Sequence, residues 1–352
     1  MRDIKVVVID DSAFMRKMIF DILQSDEQIE VVATARNGLE GLKKIEKFSP
    51  NVVTLDVEMP KMDGIMTLTE IMSRHPLPVV MLASTSNEGT TDKTIQAMDR
   101  GAVDFIRKPS GQISLDINTI KAEIIAKVKA ASQINIPVYS QVKHAKEFNI
   151  QLPARYHHTI VAIGTSTGGP RALQTVLSNL PDTFIPPILI VQHMPPKFTK
   201  SLAERLNSTS KITVKEAEQG ELILPKTAYI APGDFHMTVV KRDSQYVIDL
   251  TKEPPCNGHR PSVDILFHSV KKMENRNKVA VILTGMGNDG AHGMKMMKQL
   301  DNNTITVAES ERTSIVYGMP KAAKQTNMVD YIYDLEDIAP ALTNMIENLG
   351  GK

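Results

Sequence analysis

Short apolar runs alternate with amphipathic stretches along the chain, and this alternation constrains the fold more than any other feature of the sequence. In the first series, the stretches between the runs carry apolar residues at spacings of three and four, which is typical of helices with one buried face. Strands that alternate with such helices predict a parallel sheet covered on both faces. The runs of the first series are Lys5–Asp11, Val31–Ala35, Asn51–Val57, Pro78–Ser84 and Ala102–Pro109.

A second series of the same kind begins at His158 and predicts a second α/β domain, doubly wound around a mostly parallel sheet. Two further segments, Lys211–Ala217 and Met237–Leu250, have the pattern of added strands, the latter of a hairpin that turns at Arg242–Ser244. The main strand-like runs of this series are Thr159–Gly164, Pro187–His193, Thr227–Pro232, Lys278–Gly285 and Thr304–Glu309.

Residues 131–156, between the two series, contain prolines and polar residues without a sustained period, which is typical of a linker. The alternative is that the last helix of the first series simply continues into this segment. We therefore divide the 352 residues into a first domain at 1–130, a linker at 131–156 and a second domain at 157–352.

Composition excludes several classes of function. The formal net charge of +1 gives no electrostatic argument for binding a nucleic acid. The single cysteine, Cys256, excludes an intramolecular disulfide and fits a reducing compartment. The N-terminal apolar stretch runs into acidic residues, unlike a secretory signal, and no apolar run approaches the length of a membrane span. We expect a cytoplasmic protein that does not insert into a membrane.

Acidic residues and one lysine stand at predicted strand ends in the first domain. Asp10 and Asp11 end the first run, Asp56 lies near the end of the third, and Lys108 ends the fifth. Because functional groups gather at the carboxyl ends of parallel strands, we expect these four to lie together. Crowded carboxylates repel one another unless a cation is present, and Mg²⁺ suits this role. Lys108 would then pair with an added phosphoryl group.

The alternative is that each aspartate caps a following helix, as the pair Asp11-Ser12 would do. For any single aspartate this is the simpler interpretation. The coincidence of four residues at matching strand ends, with a tight turn at Met59–Gly64 directly after Asp56, favours a phosphoryl-accepting pocket.

The first domain resembles response-regulator receiver domains over roughly its whole length. The resemblance rests on the acidic pair, on the segment DVEMPKMDG around Asp56 and on the pair Lys108-Pro109. It implies a flavodoxin-like sheet with the strand order 2-1-3-4-5 and Asp56 as the phosphoacceptor. It also implies a Mg²⁺ site formed by Asp11, Asp56 and the backbone carbonyl of Glu58.

One position departs from the receiver pattern. The family usually has Ser or Thr immediately after the fourth strand, whereas the register here puts Ala83 there and Ser84 next. Ser84 is therefore the candidate for the hydroxyl that contacts the phosphoryl group. Phe105 occupies the position of the family's switch aromatic, although the residue alone would be interpreted as part of the core.

A glycine-rich turn follows the first strand of the second domain and precedes a helical stretch. This turn, Gly164–Pro170, places Ser166 at a strand-to-helix junction, where backbone N–H groups of the helix start can bind an anion. Such a turn would equally hold a phosphate, although no lysine follows the glycines as in a P-loop. The alternative function is therefore a receiver domain joined to a non-enzymatic, anion-binding module.

His193 and Asp289 follow two other predicted strands, so we expect both to meet Ser166 at the carboxyl edge of the sheet. Together they predict a nucleophile, a general base and an acid that orients the base. The backbone N–H groups near Thr167 and Met286 are the candidates for binding the oxyanion.

A second arrangement follows the α/β-hydrolase chain order, which is serine, acid, histidine. It would use His292 as the base with Asp264 or Asp289 as the acid. The other histidines, among them His236 and His259, lack the spacing of a zinc site, and they either line the cleft or fill core and turn positions.

The order Ser166, His193, Asp289 and its flanking sequences resemble the catalytic domain of the chemotaxis methylesterase (CheB) family. The resemblance implies hydrolysis of methyl esters on chemoreceptor glutamates through an acyl-enzyme, and deamidation of certain receptor glutamines. It implies no cofactor for ester hydrolysis; Mg²⁺ belongs to phosphorylation. Glu309 stands where the family usually has Gln. The matching blocks are Gly164–Pro170, Gln192–Pro196, Ala231–Asp234, Arg260–Asp264, Gly285–Gly290 and Tyr317–Pro320.

The tandem arrangement of the two domains predicts regulation of one by the other. Phosphorylation of Asp56 by a chemotaxis histidine kinase would relieve inhibition of the esterase domain by shifting a conformational equilibrium. The expected partners are therefore the chemoreceptor substrates and this kinase, and we expect the protein to be a monomer.

Overall fold

The computed structural model describes residues 3–84, 88–108, 117–134 and 158–349. The chain divides into two compact units, Met1–Gln141 and Val142–Lys352. Within the described ranges, none of the helices has both the length and the apolar character needed to cross a membrane.

The first unit is a parallel sheet in which a helix follows each strand. Its elements are β1 (Ile4–Ile9), α1 (Ala13–Gln24), β2 (Ile29–Ala35), α2 (Gly38–Phe48), β3 (Val52–Asp56), α3 (Gly64–Arg74), β4 (Val79–Ala83), α4 (Glu88–Asp99), β5 (Asp104–Arg107) and α5 (Ile117–Ser132). The strand order is β2-β1-β3-β4-β5, so the predicted flavodoxin-like order is confirmed. Strand β1 pairs with β2 on one side and with β3 on the other, and its residues Val6–Ile9 are fully buried.

The second unit is a larger parallel sheet with one added hairpin. Its elements are β6 (Thr159–Thr165), α6 (Gly169–Asn179), β7 (Ile188–Gln192), α7 (Phe198–Thr209), β8 (Thr213–Glu216), β9 (Thr227–Ile230), β10 (His236–Arg242), β11 (Gln245–Thr251), α8 (Val263–Val270), β12 (Asn277–Ile282), α9 (Ala291–Leu300), β13 (Ile305–Glu309), α10 (Met319–Gln325), β14 (Tyr331–Tyr333) and α11 (Leu335–Leu349). Seven strands pair in the order β14-β13-β12-β6-β7-β9-β8, and β10 pairs with β11 alone.

This arrangement confirms the predicted doubly wound, mostly parallel domain. The predicted hairpin is β10–β11, which is antiparallel and turns at Asp243 and Ser244, both with positive φ. The sequence did not predict strand β14, because this strand has only 3 residues and lies at an exposed edge of the sheet.

The predicted linker is only partly covered by the described residues. Helix α5 ends at Ser132, just inside the segment 131–156 that we interpreted as a linker. From residue 135 onward this segment lies outside the described residues. The division into 1–130, 131–156 and 157–352 therefore stays a prediction.

One face of the second sheet is covered by α8, α9, α10 and the hairpin. Their buried side chains, among them Phe267, Met294 and Met319, form one hydrophobic cluster with the strands β6 and β12. Burying these side chains holds the starts of α8 and α9 against the sheet, and polar groups of the candidate site stand at these two helix starts.

Gly64, the first residue of α3, lies so close to the end of β3 that a residue with a side chain would not fit there. A Cβ atom at this position would lie 2.1 Å from the carbonyl oxygen of Asp56 and 2.8 Å from the Cα of Val57. We expect Gly64→Ala to lower the free energy of unfolding of the first unit by about 1–3 kcal/mol, since only backbone displacement relieves the clash. Differential scanning calorimetry measures this change.

The matched control is Ser73→Ala, at an exposed position of the same helix, which should change stability by less than about 0.5 kcal/mol. If both variants unfold at the same temperature as the unmodified chain, the close approach at Gly64 does not exist in solution.

Candidate functional sites

The predicted acidic pocket is formed at the carboxyl edge of the first sheet. Asp10 follows β1, Asp56 ends β3, and Lys108 follows β5. The Lys108 Nζ lies 2.8 Å from Asp10 Oδ2 and 2.7 Å from Asp56 Oδ2. Both carboxylates are buried. Parallel pairing thus brings together side chains that are far apart in the sequence.

Burial raises the pKa of Asp56 to about 6, and the neighbouring charge of Asp10 acts in the same direction. Burial also opposes the positive charge of Lys108, but the hydrogen bonds to Asp10 and Asp56 outweigh it and raise the pKa of this lysine. Lys108 is therefore an ammonium ion at neutral pH, and it balances only part of the negative charge in the pocket.

The donor set of this pocket fits Mg²⁺. One carboxylate oxygen from each of Asp10, Asp11 and Asp56 lies within 4.8 Å of the others, and Asp11 is exposed. Three carboxylates beside one ammonium leave an excess of negative charge that a divalent cation would balance, and oxygen ligands are those that Mg²⁺ prefers. The pair Asp11-Ser12 does cap α1, through Ser12, whose Oγ accepts the N–H of Met15 at 3.3 Å, and this leaves the Asp11 carboxylate available to a cation.

The remaining predicted residues of this pocket lie close to it. The Glu58 N–H donates to Asp56 Oδ1 at 3.3 Å, while the Glu58 carboxylate accepts a hydrogen bond from Thr90 at 2.8 Å. Ala83 ends β4 and is fully buried, and Ser84 follows it, half-buried. The roles of the Glu58 carbonyl and of the Ser84 hydroxyl stay predictions.

Phe105, the predicted switch aromatic, is buried in β5. Lys127 of α5 donates to its carbonyl oxygen at 2.6 Å, and the same ammonium lies 5.3 Å from the centre of the ring. In this structure the aromatic side chain therefore belongs to the core, as the residue alone suggested.

Ser166 and His193 lie side by side at the carboxyl edge of the second sheet. Strands β6 and β7 are parallel neighbours in which Thr165 pairs with Gln192, so the next residue of each strand is one of the two candidates. The His193 N–H donates to the Thr165 carbonyl at 3.2 Å. The side-chain amide of Gln192 donates to the carbonyl oxygens of Ser166 and His193, at 3.0 Å and 3.1 Å.

The turn that carries Ser166 requires glycine. Gly168 has a φ of 79°, and a Cβ atom there would lie 2.6 Å from the Cβ of Ile315. The Ser166 N–H donates to the Thr284 carbonyl at 3.0 Å, and the Ser166 carbonyl accepts from the Gly169 N–H at 2.8 Å. Ser166 is thereby fixed between β12 and the first turn of α6.

Asp289 binds the imidazole of His193 directly. Its Oδ2 lies 2.8 Å from His193 Nε2. The same carboxylate accepts hydrogen bonds from Ser262 Oγ at 2.8 Å and from the backbone N–H groups of Val263 at 2.7 Å and Asp264 at 3.0 Å. Burial alone would raise the pKa of Asp289, but the interaction with His193 and these donors lower it to about 2.

The alternative based on the α/β-hydrolase chain order is not formed. Asp289 pairs with His193, not with His292. The Asp264 carboxylate accepts the backbone N–H groups of Gly290 at 3.0 Å and Gly293 at 2.6 Å, so it caps the start of α9.

Thr167 and Met286, the predicted oxyanion donors, flank Ser166. The Thr167 carbonyl accepts a hydrogen bond from Thr284 Oγ1 at 3.0 Å. Gly285, which precedes Met286, is so close that a Cβ atom on it would lie 2.9 Å from the Cβ of Ser166. The binding of an oxyanion by the two N–H groups stays a prediction.

Two side chains that the sequence did not single out support these residues. The Gln192 amide links the backbones of Ser166 and His193, and Ser262 Oγ donates to Asp289. His259, which the sequence left as either a cleft residue or a core residue, stacks on His193, with ring centroids 3.8 Å apart and ring planes 6° from parallel. Gln192 and Ser262 stood inside motif blocks, but nothing local in the sequence indicates which atoms they contact.

Both units match known families. A family model described as response regulator receiver domain matches residues 6–118, and one described as CheB methylesterase matches residues 161–342. The matches define the class as a response regulator whose receiver domain precedes a methylesterase-family domain.

Relatives match almost the whole chain. The curated protein-glutamate methylesterase/protein-glutamine glutaminase of Oceanobacillus iheyensis is 52% identical over 353 residues, which cover 98% of this chain and 100% of the relative. The protein of the same name from Bacillus subtilis is 46% identical over 355 residues, covering 98% and 99%. The crystal structure of the Thermotoga maritima CheB methylesterase catalytic domain is 44% identical and has a TM-score of 0.51, covering 53% of this chain and 98% of that chain. The chain belongs to the CheB methylesterase family, and the family prediction made from its sequence is confirmed.

Glu309, the position that departs from the family pattern, is fully buried at the end of β13. Its Oε2 accepts the Thr284 N–H at 2.7 Å, and its Oε1 accepts a hydrogen bond from Thr313 Oγ1 at 3.0 Å. Burial raises its pKa from 4.5 to about 7. The titrating carboxyl group of Glu309 thus binds the backbone N–H of Thr284, and the carbonyl of the same residue accepts the Ser166 N–H.

We expect Glu309→Gln to stabilise the second unit at high pH. Because the folded state holds the Glu309 proton more tightly than the unfolded state does, the stability due to this proton is fully present below about pH 4.5 and is lost as the pH rises through about 7. An amide does not titrate, so the variant should gain about 1–3 kcal/mol over the unmodified chain at about pH 8 and much less at about pH 5. Calorimetry at the two pH values measures the difference, and an equal effect at both would contradict it.

Proposed function

We propose that the second unit hydrolyses methyl esters on glutamate side chains of chemoreceptors, releases methanol and deamidates specific receptor glutamines. The names of the relatives support both activities. The observation that carries the proposal is the 2.8 Å hydrogen bond between His193 Nε2 and Asp289 Oδ2 next to Ser166. This arrangement supports Ser166 as the nucleophile, His193 as the base and Asp289 as the group that orients the base.

The hydrogen bond to Asp289 sets the tautomer of the base. With the Nε2 proton donated to the carboxylate, the lone pair lies on His193 Nδ1, which is buried and has no hydrogen-bond partner among the described residues. Nδ1 therefore takes the Ser166 proton as Oγ attacks the ester carbonyl. The proton then passes to the methoxy oxygen, and methanol leaves an acyl-enzyme.

Water completes the reaction. His193 takes a proton from the water as its oxygen attacks the acyl carbon, and it returns that proton to Ser166 Oγ when the acyl bond breaks. The product is a carboxylic acid, which gives its proton to solvent and becomes a receptor carboxylate. From a glutamine the first leaving group is ammonia. The N–H groups of Thr167 and Met286 stabilise the oxyanion in both steps. Apart from water and the substrate, these steps use only side chains and backbone groups of this chain.

The first unit controls this reaction through Asp56, which accepts a phosphoryl group from a chemotaxis histidine kinase. Asp10, Asp11 and Asp56, with the Glu58 carbonyl, would hold Mg²⁺, which would supply positive charge for the incoming phosphoryl oxygens. Lys108 and Ser84 contact the phosphoryl group after transfer. Phosphorylation relieves inhibition of the esterase unit by shifting a conformational population. We further propose that the protein is cytoplasmic and monomeric.

We expect Ser166→Ala to lower kcat for methanol release by about 10⁴-fold or more, because the nucleophile is lost. Asp289→Asn should cause a loss of similar size, since the imidazole then lacks the carboxylate that holds its tautomer. Release of labelled methanol from methylated receptor membranes measures both. The control is Ser178→Ala, on the following helix, which should keep full activity. A Ser166→Ala variant of unchanged rate would instead support the anion-binding alternative.

A small-molecule phosphodonor with Mg²⁺ should raise methanol release by the unmodified chain and not by Asp56→Asn, which lacks the phosphoacceptor. Removing Mg²⁺ with a chelator should abolish the increase and leave the basal rate, because the metal serves phosphorylation only. The control is Asp21→Asn, an exposed aspartate of α1 that should respond normally. Equal stimulation of Asp56→Asn would contradict the assignment of the phosphoacceptor.

A further inference from the structure

The orientation of the His193 ring has one polar restraint. Its Nε2 is bound to Asp289 at 2.8 Å, and its Nδ1 has no hydrogen-bond partner within the described residues. A single hydrogen bond leaves a ring free to turn about the direction of that bond. Contact with the face of the ring is what can remove this freedom.

The His259 ring makes that contact. The two imidazoles are stacked, with centroids 3.8 Å apart and planes 6° from parallel. The His193 side chain is 7% exposed, so little room remains on its other sides. Rotation of His193 about its bond to Asp289 would drive its edge into His259. The stack therefore fixes the plane of the ring, and with Nε2 bound to Asp289 this plane sets the direction in which Nδ1 faces.

The backbone on the N-terminal side of His259 is held by a tight turn. Cys256 and His259 exchange two backbone hydrogen bonds, of 3.0 Å and 2.9 Å. The two central residues are in the left-handed region, Asn257 with a φ of 52° and Gly258 with a φ of 80°. These are the residue types that adopt such a turn without strain, so the turn presents His259 in one position.

The C-terminal side of His259 is held by Arg260. The Arg260 Nε donates to Asp234 Oδ1 at 3.1 Å, and its Nη1 donates to the carbonyl oxygens of Lys252 at 3.2 Å and Glu253 at 3.0 Å. This guanidinium thus closes the loop of which His259 forms part. Immediately afterwards, Ser262 begins the segment that binds Asp289. One short stretch of chain therefore supports both the edge and the face of His193.

We propose that His259 is a positioning residue for His193, acting through the face of its ring. The His259 ring holds the plane of the His193 ring, so that Nδ1 stays available to Ser166, and its π electrons stabilise the imidazolium that forms when Ser166 loses its proton. The inference rests on the proposed function, since it assigns His193 as the base. It predicts that the aromatic face of residue 259 matters and that its ring nitrogens do not.

Steady-state kinetics of methanol release tests this distinction. We expect His259→Ala to lower kcat by roughly five- to tenfold with KM changed by less than about twofold, because the stack orients the base without contacting the substrate. His259→Phe, which restores a flat ring, should recover most of the rate. The control is His268→Ala, an exposed histidine of α8. Full activity of His259→Ala, or a His259→Phe as slow as His259→Ala, would overturn the proposal.

A spectroscopic measurement tests whether His193 and His259 stack, and it does not depend on enzyme activity. In the full chain labelled at the histidine Cε1 positions, the His193 Cε1–H resonance, assigned with His193→Gln, should lie upfield because of the ring current of His259. It should move downfield in His259→Ala and stay upfield in His259→Phe. An unmoved His193 resonance in His259→Ala overturns the inference. If the unmodified chain releases no methanol, the proposed function fails, and the resonance still shows whether the stack exists.

Discussion

Parallel pairing between β6 and β7 is the constraint on which the candidate site of the second unit depends. It puts Thr165 opposite Gln192, so that Ser166 and His193 leave neighbouring strands at the same height. The Gln192 side-chain amide links the two backbones, since it donates hydrogen bonds to the carbonyl oxygens of both Ser166 and His193. Because side chains alternate between the two faces of a strand, a register slip of one residue would separate Ser166 from His193. Burial of both strands on both faces makes such a slip costly.

Two buried carboxylates in the second unit show how donor number decides ionisation. The Asp289 carboxylate accepts hydrogen bonds from the His193 ring, one hydroxyl and two backbone N–H groups, and its pKa falls to about 2. Glu309 receives one backbone N–H and one hydroxyl, and its pKa rises to about 7. A charge can be buried when its hydrogen bonds and an opposite charge replace water. The segment Ser262–Asp264 supplies this replacement for Asp289, and that is why this carboxylate can stay charged inside the protein.

The first unit applies the same topological rule to a different chemistry. Strands β1, β3 and β5 bring Asp10, Asp56 and Lys108 to one edge, and the ammonium bridges the two buried carboxylates. Asp11 remains exposed beside them, where an incoming cation can reach it. In both units the sheet supplies only positions. The residue types placed at the strand ends, acidic with a lysine in one unit and serine with histidine in the other, distinguish the site proposed to accept a phosphoryl group from the site proposed for acyl transfer.

The sequence by itself determined the two series of strands and helices and the residues that end the strands, because periodicity and strand ends are local properties of the chain. It left open whether Asp289 serves His193 or His292. Tertiary structure decided this, through a hydrogen bond between residues 96 positions apart. It also decided that Ser262 binds Asp289 and that His259 stacks on His193, and it added β14, whose 3 residues are too few to show a period. Contacts between side chains depend on how distant segments pack, and no local pattern encodes that packing.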